Sequence, residues 1–465
     1  MKTSMSYRRM AARGREICAL CAMLVACASL ASASATLFLE EPYGKMGFFT
    51  ATGHSAVYLS NVCADSPVVL RRCMPGENGV VISRYDGVDG YDWLAIPLIP
   101  YLYAVERPED IPLFADAKMV AFLRDQYRRK YLENVAPDGP SGETPGGIWY
   151  QLVGSSYDRT IYGFEIETTS EQDDALIHEL NSSPNSSHFH LVWNNCADFA
   201  KHIINFYYPR SLHRSVIADA GITTPKQMAK MLVKFNARHP QIQFSRMVIA
   251  QVPGSMPRSS NPHGVVESFF KSKKYILPSA LVSPVFAGSV LAVFVGTGAG
   301  HFEPDRNAMV FNPDGDFEQP LSSAERKTYQ RQFKSLLAEY GDSVAAGSID
   351  KEWAKLQSKA KTDFNDQGAP ILQLHLEGSL IRVGASAANV FDGNAAPQLV
   401  RQILEARLQS ELHHSTRRGI SRSQIARDWN LLQRAESATF VGTTRLSAVS
   451  SLAPAPVHVS LVNAP

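Results

Sequence analysis

Short apolar runs and alternating patterns dominate the first part of the chain. His54-Ser55-Ala56-Val57-Tyr58-Leu59 and Gly79-Val80-Val81-Ile82-Ser83 each predict a strand. Residues 93–103 are apolar with two prolines, a mix that resists a regular helix and predicts a plain core segment in preference to a buried loop or pocket wall. Phe114, Met119, Phe122, Leu123, Tyr127 and Tyr131 fall near one helical face and predict a helix within 111–135. The Pro- and Gly-rich residues 137–147 predict a loop, with strands following at 148–153 and 160–167. Ser170 with Asp173 predicts a helix start that continues through Leu176, Ile177 and Leu180. A second helix is predicted from near Cys196 to Phe206, ended by Pro209.

Beyond residue 252 the pattern changes. Residues 253–274 read as a linker rich in Pro, Ser and Asn that ends in Lys271-Ser272-Lys273-Lys274. The apolar run 275–300 is long enough to span a bilayer, which needs about 20 residues. Spanning would place the lysines on the outer side, against the positive-inside bias, so a re-entrant or surface-lying segment also fits. Residues 321–360 and 397–435 predict helices, and 371–384 a hairpin turning at Glu377-Gly378. Residues 301–442 form a C-terminal region whose pattern carries no functional signal, and 443–465 read as a disordered tail.

The N-terminus sets the compartment. Lys2, Arg8, Arg9, Arg13 and Arg15 precede an apolar stretch from Ile17 to Val25 and then small residues to Ala35. That order predicts a secretory signal over 1–35 and an exported, membrane-associated protein. Ala33-Ser34-Ala35 suits ordinary cleavage; Leu24-Val25-Ala26-Cys27 reads as a lipobox that would leave a lipidated Cys27 at the new terminus. Of six cysteines, Cys63, Cys73 and Cys196 lie outside that leader. In an oxidising compartment Cys63 and Cys73 are disulfide candidates, and Cys196 is the odd thiol.

Composition narrows the classes further. In 465 residues, 46 Lys and Arg balance 44 Asp and Glu, which gives no support for nucleic-acid binding. There is no phosphate loop and no paired CxxC zinc motif, so neither cofactor nor metal is expected.

Asn194-Asn195-Cys196-Ala197-Asp198-Phe199 places the odd thiol at a predicted helix N-terminus. The helix dipole and free N–H groups there favour a thiolate and an oxyanion, so the thiol pKa is expected to fall. His54, in Thr52-Gly53-His54-Ser55, is the best candidate base, with His188 and His190 as rivals. Asn195, Ser83 and Asp86 are candidates for orienting the imidazole, Asn195 also for an oxyanion contact.

Gly53-His54-Ser55-Ala56-Val57-Tyr58, followed much later by Asn195-Cys196-Ala197-Asp198-Phe199, resembles the circularly permuted papain-like superfamily. That group includes lecithin:retinol acyltransferase-like proteins, relatives of bacterial cell-wall endopeptidases and domains linked to bacterial lipoprotein N-acylation. The resemblance covers roughly residues 40–210. It implies an α+β fold over 36–252, an antiparallel sheet packed against the Cys-bearing helix, and acyl cleavage or transfer through a thioester. The second His common in its acyltransferases, about a dozen residues after the first, has no counterpart here. A lipid, lipoprotein or cell-wall amide or ester substrate and a membrane partner follow as expectations. A peptidoglycan endopeptidase of the same fold, or a catalytically silent membrane-anchored binding protein, are the alternatives.

Overall fold

The structure is a computed structural model that describes residues 33–43, 52–86, 88, 90–145, 148–186, 189–297, 301–314, 317–339, 359–365, 368–376, 379–391, 397–414 and 421–440. Residues 1–32 of the leader, with Cys27, His188, the Glu377-Gly378 turn and the tail from 443 lie outside the described residues, whereas Ser34 and Ala35 of the leader are buried in the first strand.

The fold is mixed α+β. Its first ten strands are β1 Ser34–Glu40, β2 His54–Leu59, β3 Val62–Ser66, β4 Val69–Arg72, β5 Val80–Ser83, β6 Leu94–Pro97, β7 Ile161–Glu167, β8 Phe244–Ile249, β9 Met309–Phe311 and β10 Phe317–Glu318, and Lys361–Phe364, Pro370–Leu376 and Ser379–Gly384 form a separate three-stranded sheet. Eight of them form one sheet in the order β10-β9-β8-β7-β1-β2-β5-β6. Every pairing in it is antiparallel except β8 with β9, which is parallel. β3 and β4 make a separate hairpin, closed by a Cys63–Cys73 disulfide.

Alternation along the strands feeds two cores, one on each face. Phe38, Ala56, Val81 and Ile96 face a core shared with the Ala117–Tyr131 helix and with the C-terminal helices Pro397–His414 and Arg422–Phe440. Leu37, Val57, Leu59, Ile82 and Phe164 face the helices Ser170–Ser182, Cys196–Tyr207 and Pro225–Arg238. The sheet therefore continues past residue 252, where the sequence suggested a boundary. Strands β9 and β10 come from the region expected to stand apart, and its helices complete the first core.

Several local expectations are corrected. Residues 93–103 are not irregular: β6 leads into a Leu98–Tyr103 helix, with Pro97 as its cap and Pro100 in its first turn, where a backbone N–H is dispensable. Residues 148–153 are not a strand but a 3-10 turn at Trp149–Gln151. The predicted helix at 111–135 is shorter, Ala117–Tyr131, because Asp116 caps it by accepting from the Met119 N–H at 2.7 Å. Thr169, not Ser170, caps the next helix in a capping box with Gln172.

The apolar run expected to meet a membrane forms two short helices, Lys273–Val282 and Pro284–Gly296, separated at Ser283. Among the described residues no helix is long and apolar enough to cross a membrane.

Candidate active site

The Cys196–Tyr207 helix forms because its start is well capped and one side is apolar. Asn195, in extended backbone, accepts from the Ala197 and Asp198 N–H groups at 2.9 and 3.0 Å. Asp198 answers by accepting from the Asn195 N–H at 3.4 Å. Phe199, Ile203 and Tyr207 repeat every four residues and are buried against the sheet. Each such burial stabilises by about 1.5–3 kcal/mol. The nucleophile candidate is thus fixed as the first residue of an anchored helix.

β2 supplies the candidate base, His54. Gly53, with φ of 76°, turns the chain so that His54 begins the strand opposite Glu40. A Cβ at Gly53 would lie 2.1 Å from the Glu40 carbonyl oxygen, so only glycine fits this approach.

The pairing of β2 with β5 stops at Val57 and Ile82. Beyond it, the backbone of Ser55 becomes the centre of the site. Its carbonyl accepts from the Ser83 hydroxyl at 2.8 Å, and its N–H points at the Cys196 thiol. The same Ser83 oxygen lies 3.0 Å from His54 Nε2. The backbone of this one residue therefore gathers Cys196 and Ser83, and through the Ser83 hydroxyl His54. Ser83 has a single hydroxyl proton, already directed to Ser55, so the network assigns the Nε2 proton to His54. That leaves Nδ1 as a proton acceptor. Tyr85 stacks on the imidazole with ring centroids 5.2 Å apart.

Electrostatics hold the pair neutral. Burial pushes the Cys196 thiol up to about 11, outweighing the N–H groups of Ser55 and Ala197 that favour its anion. The expected fall in thiol pKa is thus reversed by desolvation. Burial, with the Arg159 charge behind it, pulls the His54 imidazole down to about 3. His54 keeps a partly exposed edge, whereas Cys196 and Ser83 are buried.

A charged group lies on the His54 side of the sheet. Glu40 is fully buried, accepts from Tyr101 and pairs with Arg159 at 3.2 Å. Desolvation raises its carboxyl despite that guanidinium. Nothing in the sequence pattern singled out Glu40 or Arg159, since they become neighbours only when β1 and β7 pair.

The other candidates separate. Asn195 spends both amide protons on the Leu191 and Thr223 carbonyls, at 2.9 and 3.1 Å, so it caps the helix and neither orients His54 nor faces an oxyanion. Asp86 is exposed and His190 lies in an exposed turn, stacked on Trp193 with Nδ1 accepting from the Val192 N–H. Cys63, Cys73 and Glu77 lie close together, but the two sulfurs are joined and Glu77 pairs with Arg71. Cys196 is the free cysteine among the described residues.

No protein-family model matches this chain, and no curated protein or solved structure compared with it matches either.

Proposed function

We propose that the protein is an envelope thiol-dependent acyl hydrolase or acyltransferase of the permuted papain-like kind, with Cys196 as nucleophile and His54 as base. The observation that carries this reading is the Ser83 hydroxyl, bonded to the Ser55 carbonyl and to His54 Nε2, which leaves Nδ1 to accept a proton. The Cys63–Cys73 disulfide supports an oxidising compartment and hence export.

In this reading His54 Nδ1 takes the Cys196 proton as the sulfur attacks an ester or amide carbonyl carbon. Asn195 takes the Ala197 and Asp198 N–H groups, so the Cys196 backbone N–H and the positive end of the helix are left to stabilise the oxyanion. The carbon–oxygen or carbon–nitrogen bond breaks, and the imidazolium proton leaves with the departing alcohol or amine. Water or an amine then attacks the thioester, giving its proton to His54 and restoring the thiol. A neutral resting pair fits a base that acts during attack rather than a preformed thiolate. The substrate class is a lipid, lipoprotein or cell-wall ester or amide.

A silent binding protein is the second reading, favoured by the buried thiol held near 11. Incubation with a p-nitrophenyl ester and intact-mass analysis separates the two. An acyl adduct at Cys196 is expected, labile to hydroxylamine, lost in Cys196→Ala and slowed at least about 10-fold in Ser83→Ala, where the tautomer is no longer fixed. No adduct, in a protein whose Cys196 still alkylates after unfolding, decides for the silent reading.

A further inference from the structure

The helices Lys273–Val282 and Pro284–Gly296 form a hairpin whose outer surface is apolar and uncovered. Leu281, Val282 and Val285 are 86 %, 87 % and 81 % exposed, and no described residue of the second helix is buried. A helix docked on a protein buries one stripe and presents polar residues elsewhere. This one is apolar all round, and residues 271–300 contain no acidic side chain. Lys273 and Lys274 open its first helix, and Lys271, just before them, pairs with Glu267 at 2.8 Å. At 1.5 Å per residue the two helices reach only about 15 and 20 Å, short of the roughly 30 Å hydrocarbon core.

The hairpin is held to the body by rings. Phe269 meets Phe286 at 5.7 Å and Phe270 stacks on Phe294 at 4.6 Å. The Lys230 ammonium donates to the Thr297 carbonyl at 3.1 Å. The second helix also touches the short Val216–Asp219 helix, whose Val216 and Ile217 are 77 % and 68 % exposed. Arg214, just before it, donates to the Trp193 carbonyl at 2.7 Å and to Asp198 of the Cys196 helix. Trp193, three residues before Cys196, is itself 62 % exposed. Exposed apolar side chains thus lie on the hairpin, on the Val216–Asp219 helix it touches, and at Trp193, which Arg214 ties to the start of the Cys196 helix.

We propose that this hairpin is a monotopic anchor, inserted shallowly into an anionic lipid surface, with Trp193, Val216 and Ile217 extending the contact so that Cys196 opens toward substrates held in that surface. The occupant is lipid because all-round apolarity suits acyl chains and the lysines complement anionic headgroups. The placement of the substrate rests on the thiol reading; the anchor itself does not.

Peptide-resolved amide hydrogen exchange on the full chain tests it, with phosphatidylcholine vesicles, with vesicles also containing phosphatidylglycerol, and without lipid. Slower exchange over 276–296 and 214–218 is expected only with the anionic vesicles. It should disappear in Leu281→Asp/Val285→Asp and weaken in Lys273→Ser/Lys274→Ser. The Asp pair should still form the Cys196 acyl adduct from a soluble ester, so loss of lipid protection and loss of thiol chemistry are read separately. Protection that appears without lipid and grows with protein concentration would mean a second copy covers the hairpin, and overturns the proposal. Unchanged exchange with anionic vesicles overturns it too.

Discussion

His54 and Cys196 titrate far to either side of neutrality, and this has a sign that folding experiments can read. His54 is held near 3 in the fold, against about 6.5 in an unfolded chain. Between those values the unfolded chain binds a proton that the folded chain does not. Stability is therefore fully present above about pH 6.5 and is lost as pH falls toward 3. Cys196 acts in the opposite range: near 11 when folded and 9.0 ordinarily, it keeps its proton in the fold after the unfolded chain has lost it. Stability then declines as pH rises from 9 toward 11. Urea midpoints measured across pH should show the acid slope flattening in His54→Gln and the alkaline slope flattening in Cys196→Ala. Slopes identical to those of the parent would mean these groups are not desolvated as described. The sequence identified both residues and included Ser83 among three orienting candidates. It gave no reason to prefer Ser83, because that preference depends on where the β2–β5 ladder ends.

At the scale of elements, the β3–β4 hairpin is tied by Cys63–Cys73 across a separation of 10 residues. Cys63→Ser should lower stability by about 2–5 kcal/mol, seen as a reduced urea midpoint. A midpoint equal to the parent's would show that β3–β4 is held by its pairing alone. Elements with strong local signals were legible in the sequence: β2, β5, β7, and the Cys196–Tyr207 helix to within a residue of its predicted end. β1 was not, although it is central. Its residues Ser34-Ala35-Thr36-Leu37-Phe38-Leu39-Glu40 are all buried, so it shows no alternation, and its small-residue start coincides with a cleavage-like motif. The expected strand at 148–153 failed for the opposite reason. Apolar residues there fill the first core from a turn, and tertiary packing overrode strand propensity.

At the scale of the whole molecule, the parallel β8–β9 pair has a mechanical consequence. The chain leaves the sheet after Ile249 and re-enters beside the same strand at Met309. Everything between is a handle fastened at both ends, not a tether hanging from one. Such a handle cannot swing free of the body, and it need not be continuous to stay in place. A chymotryptic cut beside Leu281 should leave two fragments that co-elute on gel filtration and separate only in denaturant. Separation in native buffer would show that the residues after the handle do not hold to the sheet. Intact, the handle's reach is set by where its two ends are stitched, so any surface it grips lies at a fixed height and tilt relative to the thiol.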